Sequence, residues 1–248
     1  MKKIISFLVI LILFSCTDDV RFSNPGFQAF RDDILFKSVD AKAYQSASGA
    51  ITIEALAQGE EVILSTISSS PGVYYLGTTN EGNKATYNSF FGENDLFYAT
   101  NIISGPVAMV ESTMISGGNN YTSDCTQTGG QTSCTSSHAT TTTGNGIGLT
   151  VSILTSNGVI TSVRLASPGN NYTAGDLITV VGGDNIAQFR ILNVEGSNGD
   201  IEITEINNGT ITGNFKFNAP KSDENPFGNN VVNFQYGAFY RIPLIPVP

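Results

Sequence analysis

The sequence predicts an all-β protein, an antiparallel β-sandwich or open barrel that carries a small inserted β-module. Three observations lead there. Apolar residues recur with a period of two, as they do on the two faces of a strand, and rarely with the 3.6 period of a helix. Turn dipeptides of the Asn-Gly kind punctuate these runs, and both of their residues tolerate the positive φ of tight hairpins. The chain also has 26 glycines and only 13% charged residues, so the solvent faces must be built from hydroxyls and amides.

The runs follow in chain order. Ile51, Ile53 and Ala55 alternate with Thr52 and Glu54. Val159, Thr161, Val163 and Leu165 alternate with Ile160, Ser162 and Arg164. Ile211, Phe215 and Phe217 share a face opposite Thr212, Asn214 and Lys216, and Val232, Phe234 and Tyr236 are expected to share another. Turn signals lie at Gln58-Gly59, Pro71-Gly72, Glu81-Gly82-Asn83, Asn157-Gly158, Asn198-Gly199 and Asn208-Gly209. Only residues 38–48 hint at a short helical turn.

An internal repeat interrupts this pattern. Gly118-Asn119-Asn120-Tyr121-Thr122 recurs as Gly169-Asn170-Asn171-Tyr172-Thr173, 51 positions later. Each copy follows an apolar strand and precedes a glycine-rich turn and another strand. The unit resembles the short Gly-x-Gly-Tyr-Thr repeats of phage and bacterial surface structural proteins. Two copies are too few for a solenoid, so they are expected to pack on each other or on a host domain.

The amino-terminal residues read as an address. Lys2 and Lys3 precede the apolar run from Ile4 to Phe14, which is too short to span a bilayer, where about 20 apolar residues are needed, and fits the core of a signal peptide. Leu13-Phe14-Ser15-Cys16 resembles the bacterial lipobox, with the cysteine as lipid acceptor. Two or three acyl chains, such as palmitate, at roughly 0.8 kcal/mol per buried methylene make such an anchor permanent. Thr17-Asp18-Asp19 resembles the acidic surface-export signal of Bacteroidota lipoproteins, which implies an outer-membrane, surface-exposed location.

Removing residues 1–15 takes away two of 12 basic residues and none of the 21 acidic ones. The mature chain then carries a net charge near −11, which argues against nucleic acid as a partner, because that requires clustered Lys and Arg. With Cys16 committed to lipid, Cys125 and Cys134 remain, nine positions apart in a Gly/Thr/Ser-rich loop. Outside the cytosol such a pair is expected to form a disulfide. A zinc site that adds His138 would be one ligand short of a tetrahedral set.

The segments flanking the repeat resemble an uncharacterised family of Bacteroidota lipoproteins, a domain of unknown function. Its succession of short motifs is matched here by Phe27-Gln28-Ala29, Val73-Tyr74-Tyr75-Leu76, Ile201-Glu202-Ile203-Thr204, Gly213-Asn214-Phe215-Lys216-Phe217 and Gly237-Ala238-Phe239. Two features depart from it: the usual tryptophan is absent, and Tyr236 precedes Gly237 where the family has asparagine. The resemblance implies a β-sandwich and no known activity. The expected organisation is a signal peptide (1–15), a tether (16–25), a discontinuous sandwich domain (26–104 plus 197–245) and an inserted two-copy repeat module (105–196).

Catalytic motifs are not evident. The single histidine, His138, lies in a hydroxyl-rich loop with no Gly-x-Ser-x-Gly elbow, and the paired carboxylates fall at turns. No cofactor is expected, although Asp176 and Asp184, flanking the turns of the second repeat, are candidate calcium ligands. Tyr121 and Tyr172 are candidate ligand contacts if exposed, and structural plugs if turned inward. The function expected is a non-catalytic, lipid-anchored surface component that contacts an extracellular protein or glycan. The alternatives are a secreted hydrolase of polysaccharide or peptide, and a carrier of a small apolar ligand.

Overall fold

A computed structural model describes residue 24 and residues 26–90, 92–222 and 225–248. Residues 1–15, read above as a signal peptide, and Cys16 lie outside the described residues. Among the described residues no helix is long and apolar enough to cross a membrane. The protein is all β, with its sheets curled into a half-barrel and a nearly closed barrel.

The amino-terminal part supplies β1 (Gly26–Arg31), β2 (Ile34–Lys37), β3 (Asp40–Gln45), β4 (Ile51–Ala57), β5 (Glu60–Thr66), β6 (Gly72–Leu76), β7 (Lys84–Ser89) and β8 (Leu96–Ala99). Then come β9 (Ser104–Gly105), β10 (Val107–Val110), β11 (Cys125–Thr128), β12 (Gln131–Cys134), β13 (His138–Thr142), β14 (Ile147–Ser156), β15 (Val159–Asn170), β16 (Tyr172–Thr173), β17 (Leu177–Val180) and β18 (Gln188–Val194). The chain closes with β19 (Asn198–Asn207), β20 (Thr210–Pro220) and β21 (Val231–Pro246).

The half-barrel is an eleven-stranded sheet in the order β6-β19-β20-β21-β3-β4-β5-β7-β8, with β1 and β2 attached at β21. The long β21 pairs antiparallel with β20 and β1, and its last residues run parallel to β3. Ile51, Ile53 and Ala55 face a core shared with Leu76, Ile201, Phe215, Phe217, Phe234 and Phe239. Aromatic contacts tie this core together: Phe27 meets Phe215 at 4.8 Å and Phe217 stacks on Phe234 at 4.6 Å, pairs that each add about 0.5–1.5 kcal/mol beyond area burial.

The turn signals explain the registers. Ser156 faces Val159 across Asn157-Gly158, and Asn207 faces Thr210 across Asn208-Gly209, with positive φ at all four turn residues. Two expectations are corrected. Residues 38–48 contain a strand, β3, because Ala41 and Ala43 alternate into the core and pairing with β4 and β21 overrides local helix preference. Asn198-Gly199 opens β19 rather than forming a turn.

The second barrel is a six-stranded sheet in the order β10-β18-β17-β13-β14-β15, with its own core of Val107, Leu149, Val151, Ile153, Ile178, Phe189 and Ile191, among others. Strands from 107–156 take the first, fourth and fifth places, and strands from 159–194 take the second, third and sixth. The order therefore reads alike from both edges, and its centre is the antiparallel pair Thr141–Thr179. The pentapeptide recurs after 51 positions but the central threonines after 38. The first half thus has 13 additional residues between these points, and the β11–β12 hairpin lies there.

The two barrels meet where the chain passes between them. Glu195 N donates to Pro106 O at 2.7 Å, and Asn101 N donates to Ser197 Oγ at 2.9 Å.

Candidate functional site

Strand β21 carries the feature that most needs explanation. Nine non-glycine residues among those described have positive φ, and seven of them are Asn or Asp, the types that enter this region at least cost. The others are Tyr236 (φ 52°) and Arg241 (φ 51°), both on β21. Phe234 faces Arg31 and Phe217, Gln235 faces Phe30, and Gly237 faces Phe215. Tyr236 is the extra residue of a bulge that shifts the inward phase of the strand. Val232 and Phe234 are buried before it, Gly237 and Phe239 after it. Tyr236 was expected on the inward face with Val232 and Phe234; the bulge turns it outward instead, where it is 85% exposed. Gly237 can follow because it has no Cβ, which would lie 2.6 Å from the Phe215 ring.

The ring stands between two shallow depressions. One, of about 590 Å³, is lined by Asp200, Glu202, Asn214, Lys216 and Gln235. The other, of about 460 Å³, is lined by Phe30, Asp33, Asn233 and Gln235, and Tyr236 borders both. Strand register places the polar groups in rows: Asp200 faces Lys216 and Glu202 faces Asn214. Lys216 Nζ lies 3.3 Å from Asp200 Oδ2, and Asn214 Nδ2 lies 3.4 Å from Glu202 Oε2. Phe30 meets the Tyr236 ring edge to face at 6.5 Å and steadies it. The face thus offers an aromatic platform, three carboxylates, three amides and one ammonium. Its sequence signal was the departure from asparagine before Gly237, a position whose backbone demand cannot be read from hydrophobic alternation.

The residues singled out from sequence lie in the other barrel. Tyr121 and Tyr172 are 4% and 1% exposed, so their rings are plugs and offer no surface to a ligand. Both pentapeptides have the same backbone, with φ of 57° and 59° at Gly118 and Gly169 and 61° at Asn120 and Asn171. Each ring packs beneath a glycine turn of the other half. A Cβ at Gly183 would lie 2.6 Å from the Tyr121 ring, and one at Gly146 would lie 2.1 Å from the Tyr172 ring. The Tyr121 hydroxyl donates to Val180 O at 3.0 Å, and that of Tyr172 accepts from Leu149 N at 3.3 Å.

Cys125 and Cys134 form a disulfide across directly paired positions of the β11–β12 hairpin. Beside it, Asp124 is buried and joins several groups. Its Oδ2 accepts from Ile153 N at 3.0 Å and lies 3.5 Å from His138 Nε2, while its Oδ1 accepts from Ser136 Oγ. His138 Nδ1 lies 2.9 Å from Val181 O. The carboxylate therefore stands between hydroxyl and imidazole, whereas a nucleophilic triad places the imidazole in the middle.

Asp176 and Asp184 sit in separate turns. Asp176 Oδ2 accepts from Thr173 N at 2.9 Å, and Asp184 accepts from Ile186 N at 3.1 Å and Asn119 Nδ2 at 3.2 Å. Partial burial pushes the Asp184 carboxyl up, but the hydrogen bonds from Asn119 and Ile186 outweigh it and hold the group below its ordinary value. Among the described residues no group of three or more His, Cys, Asp or Glu side chains is placed to hold a metal ion.

Comparison with known families decides the kinship. A family model described as a domain of unknown function, DUF6252, matches residues 23–163 and residues 135–243. The chain belongs to this family. The DUF6252 matches together reach from before β1 into β21 and include the bulge that displays Tyr236. No curated protein and no solved structure matches the chain.

Proposed function

We propose that this chain is a lipid-anchored protein of the bacterial cell surface, of Bacteroidota type, and that it serves as a non-catalytic binding component through the Tyr236 face. The observation that carries the binding role is Tyr236 itself. A bulky residue in the left-handed region costs on the order of 1–3 kcal/mol, and strain of this kind gathers at functional sites. Here the strain delivers an almost fully exposed ring between two polar depressions.

The other readings have less support. The Ser136–Asp124–His138 order lacks a hydroxyl–imidazole contact, which weighs against a hydrolase. Six phenylalanines fill the half-barrel core, which weighs against a carrier of apolar ligands.

The anchor rests on Leu13-Phe14-Ser15-Cys16 and the outward address on Thr17-Asp18-Asp19. We further read residues 105–196 as an insertion of two copies of one unit into the half-barrel domain. The separate core, the matched pentapeptide backbones and the adjoining chain ends support that division.

Mass analysis of the chain from its native membrane should show Cys16 as an acylated amino terminus. Protease added to intact cells should remove the chain from the surface. An unmodified Cys16 with cleavage elsewhere overturns the anchor, and full protection in intact cells overturns the outward location.

A further inference from the structure

Resting on the reading of the Tyr236 face as a binding surface, we propose that this face binds a neutral saccharide, with sugar residues seated on either side of the Tyr236 ring. A pyranose has two chemistries at once: a face of C–H groups that packs on an aromatic ring, and a rim of hydroxyls that pair with planar amides and carboxylates. Tyr236 supplies the first. Asp200, Glu202, Asn214 and Gln235 on one side, and Asp33 and Asn233 on the other, supply the second.

The charge balance selects among sugars. Asp33, Asp200 and Glu202 outnumber Lys216, and Lys216 is already engaged by Asp200. Uronates and sulfated or sialylated glycans would meet net repulsion. Two shallow depressions around one ring are also small beside the roughly 800 Å² per partner of a standard protein–protein interface. The bulge fixes the backbone under Tyr236, and Phe30 braces the ring, so little side-chain freedom is left to lose on binding.

The test is affinity electrophoresis of the full chain, in detergent, through gels containing galactomannan, xyloglucan, mixed-linkage β-glucan or α-mannan, with polygalacturonate as the anionic counterpart. In parallel, binding to immobilised fibronectin and collagen is measured. The variants are Tyr236→Phe, which keeps the ring, and Tyr236→Asn, which removes it while suiting the left-handed backbone. At least one neutral polysaccharide should retard the chain in a salt-insensitive manner. Retardation should persist in Tyr236→Phe and weaken about tenfold or more in Tyr236→Asn, as loss of a central aromatic contact does. Thermal melts should show that both variants are folded.

Absence of retardation by every neutral polysaccharide, or retardation unchanged in Tyr236→Asn, overturns the saccharide proposal, as does binding to polygalacturonate alone. If only fibronectin or collagen is bound through Tyr236, the saccharide class falls and the binding face stands. If nothing in the panel depends on Tyr236, both fall.

Discussion

Asn193 of the second barrel donates its side-chain amide to the backbone carbonyl of Leu76 in the half-barrel, at 3.0 Å, and both residues are buried. The bond crosses from one hydrophobic core to the other, and Asn193 Oδ1 has no hydrogen-bond partner among the described residues. Asn193→Ala should leave the Leu76 carbonyl unsatisfied and destabilise by about 1–3 kcal/mol. Urea unfolding checks this, and a midpoint equal to that of the wild type would show the contact to be dispensable.

The glycine clamps give a second prediction. Gly146→Ala forces a methyl into the Tyr172 ring and should destabilise by roughly 1–3 kcal/mol, as overpacking does. Gly183→Ala meets the Tyr121 ring and also a φ of 51°, so it should be the worse of the two. Trimming the ring relieves the collision, so the effects of Gly146→Ala and Tyr172→Leu should be less than additive. Strict additivity would contradict the clamp.

The Cys125–Cys134 bridge closes a short hairpin, and its loss should destabilise by about 2.5–3 kcal/mol in the chain-entropy model. In the unreduced protein neither thiol should react with iodoacetamide. Two alkylated cysteines in native, unreduced protein would refute the bridge.

Asp184 gives a prediction in pH. Its carboxyl lies below the ordinary 3.8 in the folded chain, so its contribution is present above the unfolded value and is lost as pH falls through the folded one. The stability gap between wild type and Asp184→Asn should therefore be constant near neutrality and narrow below about pH 4. Melting temperatures across pH 2–7 measure it, and a gap that widens on acidification would reverse the sign.

Removing about 106–195 and joining the ends with a short Gly/Ser linker should leave a folded half-barrel, because loop-closure cost changes only logarithmically with length. Every strand of the eleven-stranded sheet lies outside the deleted segment, and Pro106 and Glu195 are hydrogen-bonded neighbours. Cooperative thermal unfolding of the shortened chain is the expected result. An unfolded product would mean that the barrels need each other.

Local chemistry was legible in the sequence and curvature was not. Asn157-Gly158 and Asn208-Gly209 announced their hairpins because few other dipeptides take two positive φ values. Alternation found Ile51, Ile53 and Ala55, whose strand is regular. It failed on β15, where Ile160 is buried and Val159 and Leu165 are exposed, because a register shift at Leu154/Thr155 changes the facing of the hairpin. It failed again at Tyr236 for the same reason. A bulge moves one residue to the other face without altering composition, and it is set by the pairing with the neighbouring strand. The tyrosine pair was visible as a recurrence, but the crossing of each ring to the opposite half depends on the strand order.

That strand order is the one a symmetric pair of chains would build. Two separate copies of a single unit, docked as an isologous homodimer, would produce the same alternation about a dyad between Thr141 and Thr179. Each would lend its tyrosine to the glycine turn of its mate. Fusing such a dimer into one polypeptide fixes the stoichiometry and frees the copies to diverge. In this chain only the first half carries a disulfide-closed hairpin.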